Sequence, residues 1–293
     1  MLHVHDGMSI RRAINMFAVA LIPTILMALY NTGHQANLAL EELGRINHAR
    51  WQGWVIEALG IGYDPWSVWA CFLLGALHYL PVFAVSLVIG DLWEQVFASA
   101  RNRPRTPGIF LFSLLFSLSL PTSIPLWQVG LGASFGIVVG KEIFGGTGRN
   151  FVHPVLVGLA FLYATYPQQM LGEGSWTVVE GFTSATAMKV VAGGGIEAVH
   201  WSGSSWMQAF FGLVPGAFGE TSTLACLIGA AWLLVTGVAS GRVIAGGFIG
   251  MIIAATAFSK LSGDASAFGS LGWHWHLVLG SFAFGMIFLA TDP

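Results

Sequence analysis

Long apolar blocks separated by short polar breaks dominate the chain. The apolar runs predict helices at about 13–31, 66–98, 108–120, 125–140, 152–166, 223–239, 243–259 and 273–291. A membrane-spanning helix needs about 20 residues, and bundles that thin the bilayer admit shorter ones. The second run exceeds an upright span, and Pro81 within it predicts a kink. The third and fourth runs are short and joined by "PTSIP", Pro121 to Pro125, which reads as a tight turn. The fifth, "VHPVLVGLAFLYATYP", is short enough to be tilted or partly re-entrant. The pattern predicts an all-α fold: one polytopic transmembrane helix bundle over residues 1–293, with about eight membrane segments.

Composition narrows the class. The chain is 55% hydrophobic and 9% charged, with mean hydropathy +0.71. Soluble domains carry about 25% charged residues, so the polar surface is too small for one. A formal charge of −2 with no basic stripe excludes a phosphate-neutralising nucleic-acid binder. Cys71 and Cys226 lie in apolar runs without ligand spacing and read as structural thiols, and no metal site is predicted. The polar start, "MLHVHDGMSIRRA", lacks a small-residue cleavage site, so the first helix reads as retained.

Basic residues predict orientation. With a cytoplasmic amino terminus, Arg11, Arg12, Arg101, Arg103, Arg105, Lys141, Arg149 and Arg242 fall inside. Arg45, Arg50, Lys189 and Lys260 fall outside. This bias places residues 167–222 outside as an extended extracytoplasmic loop.

Ionisable residues near the ends of apolar runs are the first candidates for chemistry, because a charge in hydrocarbon must be compensated. Glu94, with Asp91 one turn earlier, marks one end of the second run. Lys141 and Glu142 follow the fourth, Glu220 precedes the sixth, and Asp292 ends the eighth. Carboxylates at both faces suit a cation path; interfacial caps and snorkelling pairs are the plainer alternative. The tract "KEIFGGTGRN" is a glycine-rich turn that matches no dinucleotide or Walker pattern. His274 and His276, flanked by Trp273 and Trp275, read as an interfacial aromatic belt, and His78 as a buried hydrogen-bonding group. In "EGFTSAT", Glu180 to Thr186, the hydroxyls of Thr183, Ser184 and Thr186 sit among small residues. They suit a modifying enzyme, or else simply cap a helix starting at "AMKVV".

The blocks "LWQVGLGASFGIVVGKEIFGGTGRNFVHPVLVGLAFLYATYP", "EGFTSAT", "GETSTLACLIGAA" and "WHWHLVLGSFAFGMIFLATDP" carry a resemblance over essentially the whole chain. They resemble the B subunits of sodium-translocating NADH:quinone oxidoreductases and, more distantly, the RnfD membrane proteins of Rnf complexes. That family continues past "ATDP" with a further helical segment, so the chain reads as shortened at its carboxyl end. The resemblance implies an FMN joined by a phosphoester to the last Thr of a D-G-x-S-G-A-T type motif by a flavin transferase. That Thr is Thr186 here, with Glu180 in place of Asp and Ser184 in place of Gly; Thr183 and Ser184 are the neighbouring hydroxyls. It further implies sodium export past Glu94 and Asp292, ubiquinone near Gly90 and Asp91, and a second, non-covalent riboflavin. His153 stands where relatives tend to have Asn. The implied setting is the bacterial inner membrane, within a multi-subunit redox complex whose NADH site lies on another subunit. Two other readings stay open: an Rnf-type membrane protein, and a cofactor-free transporter or scaffold.

Overall fold

The computed structural model describes residues 9–45, 50–102, 104–105, 108–146, 149–172, 178–180, 182, 186–201, 205–262 and 266–292. These residues form helices joined by turns, with no strand among them. The principal elements are α1 (Ile10–Glu42), α3 (Val68–Arg101), α4 (Ile109–Leu118), α5 (Leu126–Ile137), α6 (Pro154–Thr165), α10 (Thr223–Val235) and α11 (Gly241–Ser262). Shorter helices are α2 (Trp51–Ala58), α7 (Pro167–Leu171), α8 (Ala187–Trp201), α9 (Trp206–Phe211), α12 (Trp273–Val278) and α13 (Phe282–Phe284). By length and composition α1, α3 and α11 are each long and apolar enough to cross a membrane, and α4, α6 and α10 are shorter apolar helices.

Small residues set the spacing of the main helices. A Cβ on Gly33 of α1 would collide with the carbonyl of Cys71, and one on Gly75 of α3 with the carbonyl of Leu29. The two glycines therefore let α1 and α3 touch backbone to backbone, as small residues do between membrane helices. Gly158 of α6 packs on the Gly132 carbonyl of α5 by the same means. Polar cross-links reinforce these contacts. Tyr79 Oη lies 3.0 Å from Ser117 Oγ, and Trp93 Nε1 donates to Ser134 Oγ at 2.9 Å. Around them Phe17, Leu21, Phe116, Leu118, Val129, Val155, Phe284 and Phe288 form a buried core.

Four differences from the expected segments matter for function. First, α1 runs on past the apolar block, through "NTGHQANLALEE", to Glu42. The extension buries Asn31, Thr32, His34 and Asn37. Their polar groups are used: Asn31 Nδ2 donates to Val214 O at 2.9 Å, and His34 Nδ1 lies 2.9 Å from Pro65 O. Second, α3, with Pro81 inside it, continues to Arg101, three residues past the expected end. Third, the last expected helix is divided: α12 stops at Val278, Gly280 takes φ +74°, and α13 leads into a π-helical turn, Gly285–Leu289. Glycine adopts that left-handed backbone without the Cβ clash other residues meet. Fourth, the described residues between α6 and α10 include the helices α7, α8 and α9. A separate cluster of Val191, Ala209, Val214, Leu271 and Trp275 packs α8 and α9 on α12.

Candidate functional site

The predicted residues gather at two opposite ends of the bundle. At the first, α3 ends beside a π-helical turn, Val138–Glu142, that continues α5. Lys141 and Glu142 thus lie in helical backbone, and the glycine turn that was expected to begin with them starts only beyond Glu142. Both side chains turn into the protein. Lys141 Nζ stands 2.5 Å from Glu94 Oε2, with side chains only 6% and 5% exposed, and 3.9 Å from Glu142 Oε1. Arg101 completes the chain of charges: Nη1 lies 2.8 Å from Glu142 Oε2, and Nη2 donates to the Glu142 carbonyl. Among the described residues two acids and two bases meet here, so each buried charge has an opposite one beside it.

Asp91 lies one turn from Glu94 but faces outward, paired with Arg105 at 3.1 Å and accepting from Gln95 Nε2 at 2.5 Å. It lines a cavity of about 680 Å³ together with Glu94, Leu87, Leu92, Phe110 and Arg105. A Cβ on Gly90 would meet Ile109, which lines that space, and Ile137. A second cavity, of about 350 Å³, lies beside Lys141, Asn150, His153 and Asp292. His153 caps α6, its Nδ1 accepting from Val155 N–H at 3.2 Å, and its Nε2 lies 3.0 Å from Asp292 Oδ2. The cap accounts for a His in a place where Asn would serve: both offer a short side-chain acceptor.

The other end holds Thr186 and Glu220. Thr186 is half-buried at the start of α8, and its Oγ1 accepts from Lys189 N–H at 3.2 Å while its carbonyl accepts from Lys189 and Val190. The hydroxyl therefore does cap a helix. Thr183 and Ser184 lie outside the described residues. Upstream, Val178 and Val179 pack against Ala36, Leu40, Ile56 and Leu74, with Phe182 beside them. Glu180 is gripped from the α1–α2 connection: Arg50 Nε lies 2.9 Å from its carboxylate, and Arg45 Nη1 donates to its carbonyl at 2.6 Å.

Glu220 lies in the turn before α10. That turn is pinned to the end of α4 by Gly219 N–H bonding to Leu118 O at 2.7 Å and Phe218 N–H to Leu120 O at 3.2 Å. The Glu220 carboxylate accepts from Ala217 N–H at 3.1 Å and from the Ser281 hydroxyl in the break of the last helix. Burial pushes its pKa above the ordinary carboxylate value, and these hydrogen bonds only partly oppose the shift. Thr186, Glu220, Tyr163, Met188, Gly280 and Ser281 all line one cavity of about 220 Å³. Sequence spacing could not reveal this grouping, nor the Glu94–Lys141 pair, whose partners are 47 residues apart. The only local signal for Lys141 was a charge directly after an apolar run.

His78 is buried, with Nδ1 2.9 Å from Leu74 O. Trp275 is buried and Trp273 exposed, while the His274 carbonyl accepts from Trp206.

The family model for NQR2, RnfD and RnfE proteins matches residues 1–293. The chain is 47% identical to the B subunit of the Na(+)-translocating NADH-quinone reductase of Azotobacter vinelandii, over 99% of this chain and 72% of the relative. It is 45% identical to the protein of the same name in Pseudomonas aeruginosa, over 99% of this chain and 72% of that one. For the counterpart from Chromohalobacter salexigens the identity is 46%, over 99% and 70%. A match along the entire chain, on a helical bundle with charged clusters at both ends, places this protein in the NQR2, RnfD, RnfE family.

Proposed function

We propose that the chain is the B-type membrane component of a sodium-translocating NADH:quinone oxidoreductase, anchoring FMN at Thr186 and lining part of the cation path. The observation that carries the reading is the setting of Thr186: half-buried, at a cavity rim, with its hydroxyl capping α8. The hydroxyl uses its lone pair in the cap, so exchanging its proton for phosphorus leaves an oxygen that still accepts from Lys189. The residues present therefore fit a phosphoester. Bound there, FMN would supply electron transfer, with its ring left free by a tether through the phosphate.

The chain's own residues have distinct tasks in this reading. Arg45 and Arg50 hold Glu180, upstream of the attachment residue. Glu94, Glu142, Asp292 and Glu220 are the carboxylates offered to sodium at the two ends. The cavity beside Asp91 gives a quinone ring apolar walls at Leu87, Leu92 and Phe110, with Arg105 as hydrogen-bond donor. Gly90 serves packing of α3 on α4 and α5. With a cytoplasmic amino terminus, the Glu94 end faces the cytoplasm and the Thr186 end lies outside the inner membrane. A flavin transferase would mature the protein, and NADH would be oxidised on another subunit; riboflavin is assigned no residues.

The test is co-expression with a flavin transferase, followed by a denaturing gel and intact-mass analysis. Flavin fluorescence should survive denaturation in the wild type and vanish in Thr186→Ala. Dark wild-type protein beside a flavinylated control substrate would sink the reading in favour of a cofactor-free transporter or scaffold. An RnfD-type protein is the second reading, favoured by a family that includes RnfD. Co-purifying subunits distinguish the two.

A further inference from the structure

Two cavities at the Glu94 end are lined by the two members of one ion pair. Glu94 lines the larger, beside Asp91, and Lys141 lines the smaller, beside His153 and Asp292. Gly108 lies in the wall of both. The carboxylate and ammonium, 2.5 Å apart and almost wholly buried, therefore stand between two spaces that each hold a further acid. Lys141 also has a second anion within reach, since Glu142 Oε1 lies 3.9 Å from the same Nζ and is steadied by Arg101. A lysine has three rotatable donors on a flexible stem, so it can exchange one carboxylate for its neighbour.

The geometry points to Lys141 as a tethered cation that closes the passage between the two cavities and competes with the transported cation for Glu94. With Nζ on Glu94, the pair is neutral and the partition closed. Moving Nζ to Glu142 yields the place of the ammonium on Glu94 to a monovalent cation and joins the Asp91 side to the Asp292 side. Because an ammonium leaves as the cation arrives, the buried carboxylate keeps a counter-charge in both states, which avoids the cost of a lone buried ion. Lys141 here is a positioning and selectivity residue, acting through Glu94. The inference rests on the proposed role of Glu94 in the cation path.

The whole complex should be titrated with Na⁺, Li⁺ and K⁺ while quinone reduction is followed. In Lys141→Met the competitor is gone, so half-saturating Na⁺ should fall about tenfold and discrimination against K⁺ should weaken. Lys141→Arg keeps the charge but holds Glu94 in a rigid fork. It should assemble with normal flavin content, yet lose most Na⁺-stimulated turnover. If Lys141→Met does not assemble, the arginine variant still decides the matter. Half-saturation and selectivity within twofold of wild type in an assembled Lys141→Met complex, or full turnover in Lys141→Arg, would overturn the proposal. Glu94→Gln separates the two claims. If it leaves Na⁺ dependence untouched, the role of Glu94 itself fails, and the exchange with it. If it alters Na⁺ dependence while the lysine variants do not, only the exchange fails.

Discussion

Glu94 and Glu220 are carboxylates enclosed at opposite ends of one bundle, and they are held by different means. Glu94 has a full counter-charge at 2.5 Å, and the neighbouring Glu142 has another in Arg101. Glu220 is met by dipoles: the Ala217 N–H and the Ser281 hydroxyl. A counter-charge opposes the desolvation of a buried acid more strongly than neutral donors do. The first arrangement can exchange one cation for another. The second shifts toward the protonated form and binds its proton more tightly than the unfolded chain does.

The sharpest way to break this contrast is to remove the counter-charge. Lys141→Met leaves Glu94 without its ammonium and should cost about 3–5 kcal/mol, seen as a lower Tm in detergent. Neutralising both members, as Glu94→Gln with Lys141→Met, should return most of that loss. A smaller effect is expected where a neutral bond supports the Glu220 end. Asn31→Ala removes the donor to the Val214 carbonyl, and Val214 lines the cavity beside Glu220. The expected cost is about 1–3 kcal/mol by the same measurement, because a buried acceptor loses its partner.

The dipole-held acid should declare itself through pH. Its folded pKa lies above the ordinary 4.5, so between 4.5 and the raised value the native state holds a proton that the unfolded chain releases. Stability therefore falls as pH rises through that window. Glu220→Gln should flatten this part of the curve and raise Tm at neutral pH, with little change below pH 4.5. An unchanged slope would mean that the acid is held by something stronger than dipoles. Least affected should be Arg50→Ala. Its pair with Glu180 is 45% and 55% exposed, so the loss should be about 0.5 kcal/mol and should shrink further in high salt.

The candidate residues differed in how far local pattern could carry them. Thr186 was legible as a helix cap because capping is a local bond, from a hydroxyl to the amide three residues on. His78 was legible as a buried hydrogen-bonding group for a similar reason: its partner is one turn away. The extension of α1 through "NTGHQAN" was not, since those polar residues stay helical only because carbonyls at Pro65 and Val214 receive them. The last segment reads as one apolar helix, yet it is broken at Gly280, and Ser281 in that break lines one cavity with Glu220.

By itself the sequence determined the all-helical membrane class, the approximate place of most helices and the inventory of acids near their ends. These follow from hydrophobic runs and from the scarcity of charge, which depend only on neighbouring residues. Tertiary structure alone decided which acid meets which base, that Glu94 and Lys141 pair while lining different cavities, and that Thr186 and Glu220 share a third. Those pairings cross tens of residues and depend on how closely glycines such as Gly33 and Gly75 let helices approach. Hydrophobic periodicity gives the face a helix buries; it does not give the depth or partner at which a charge comes to rest.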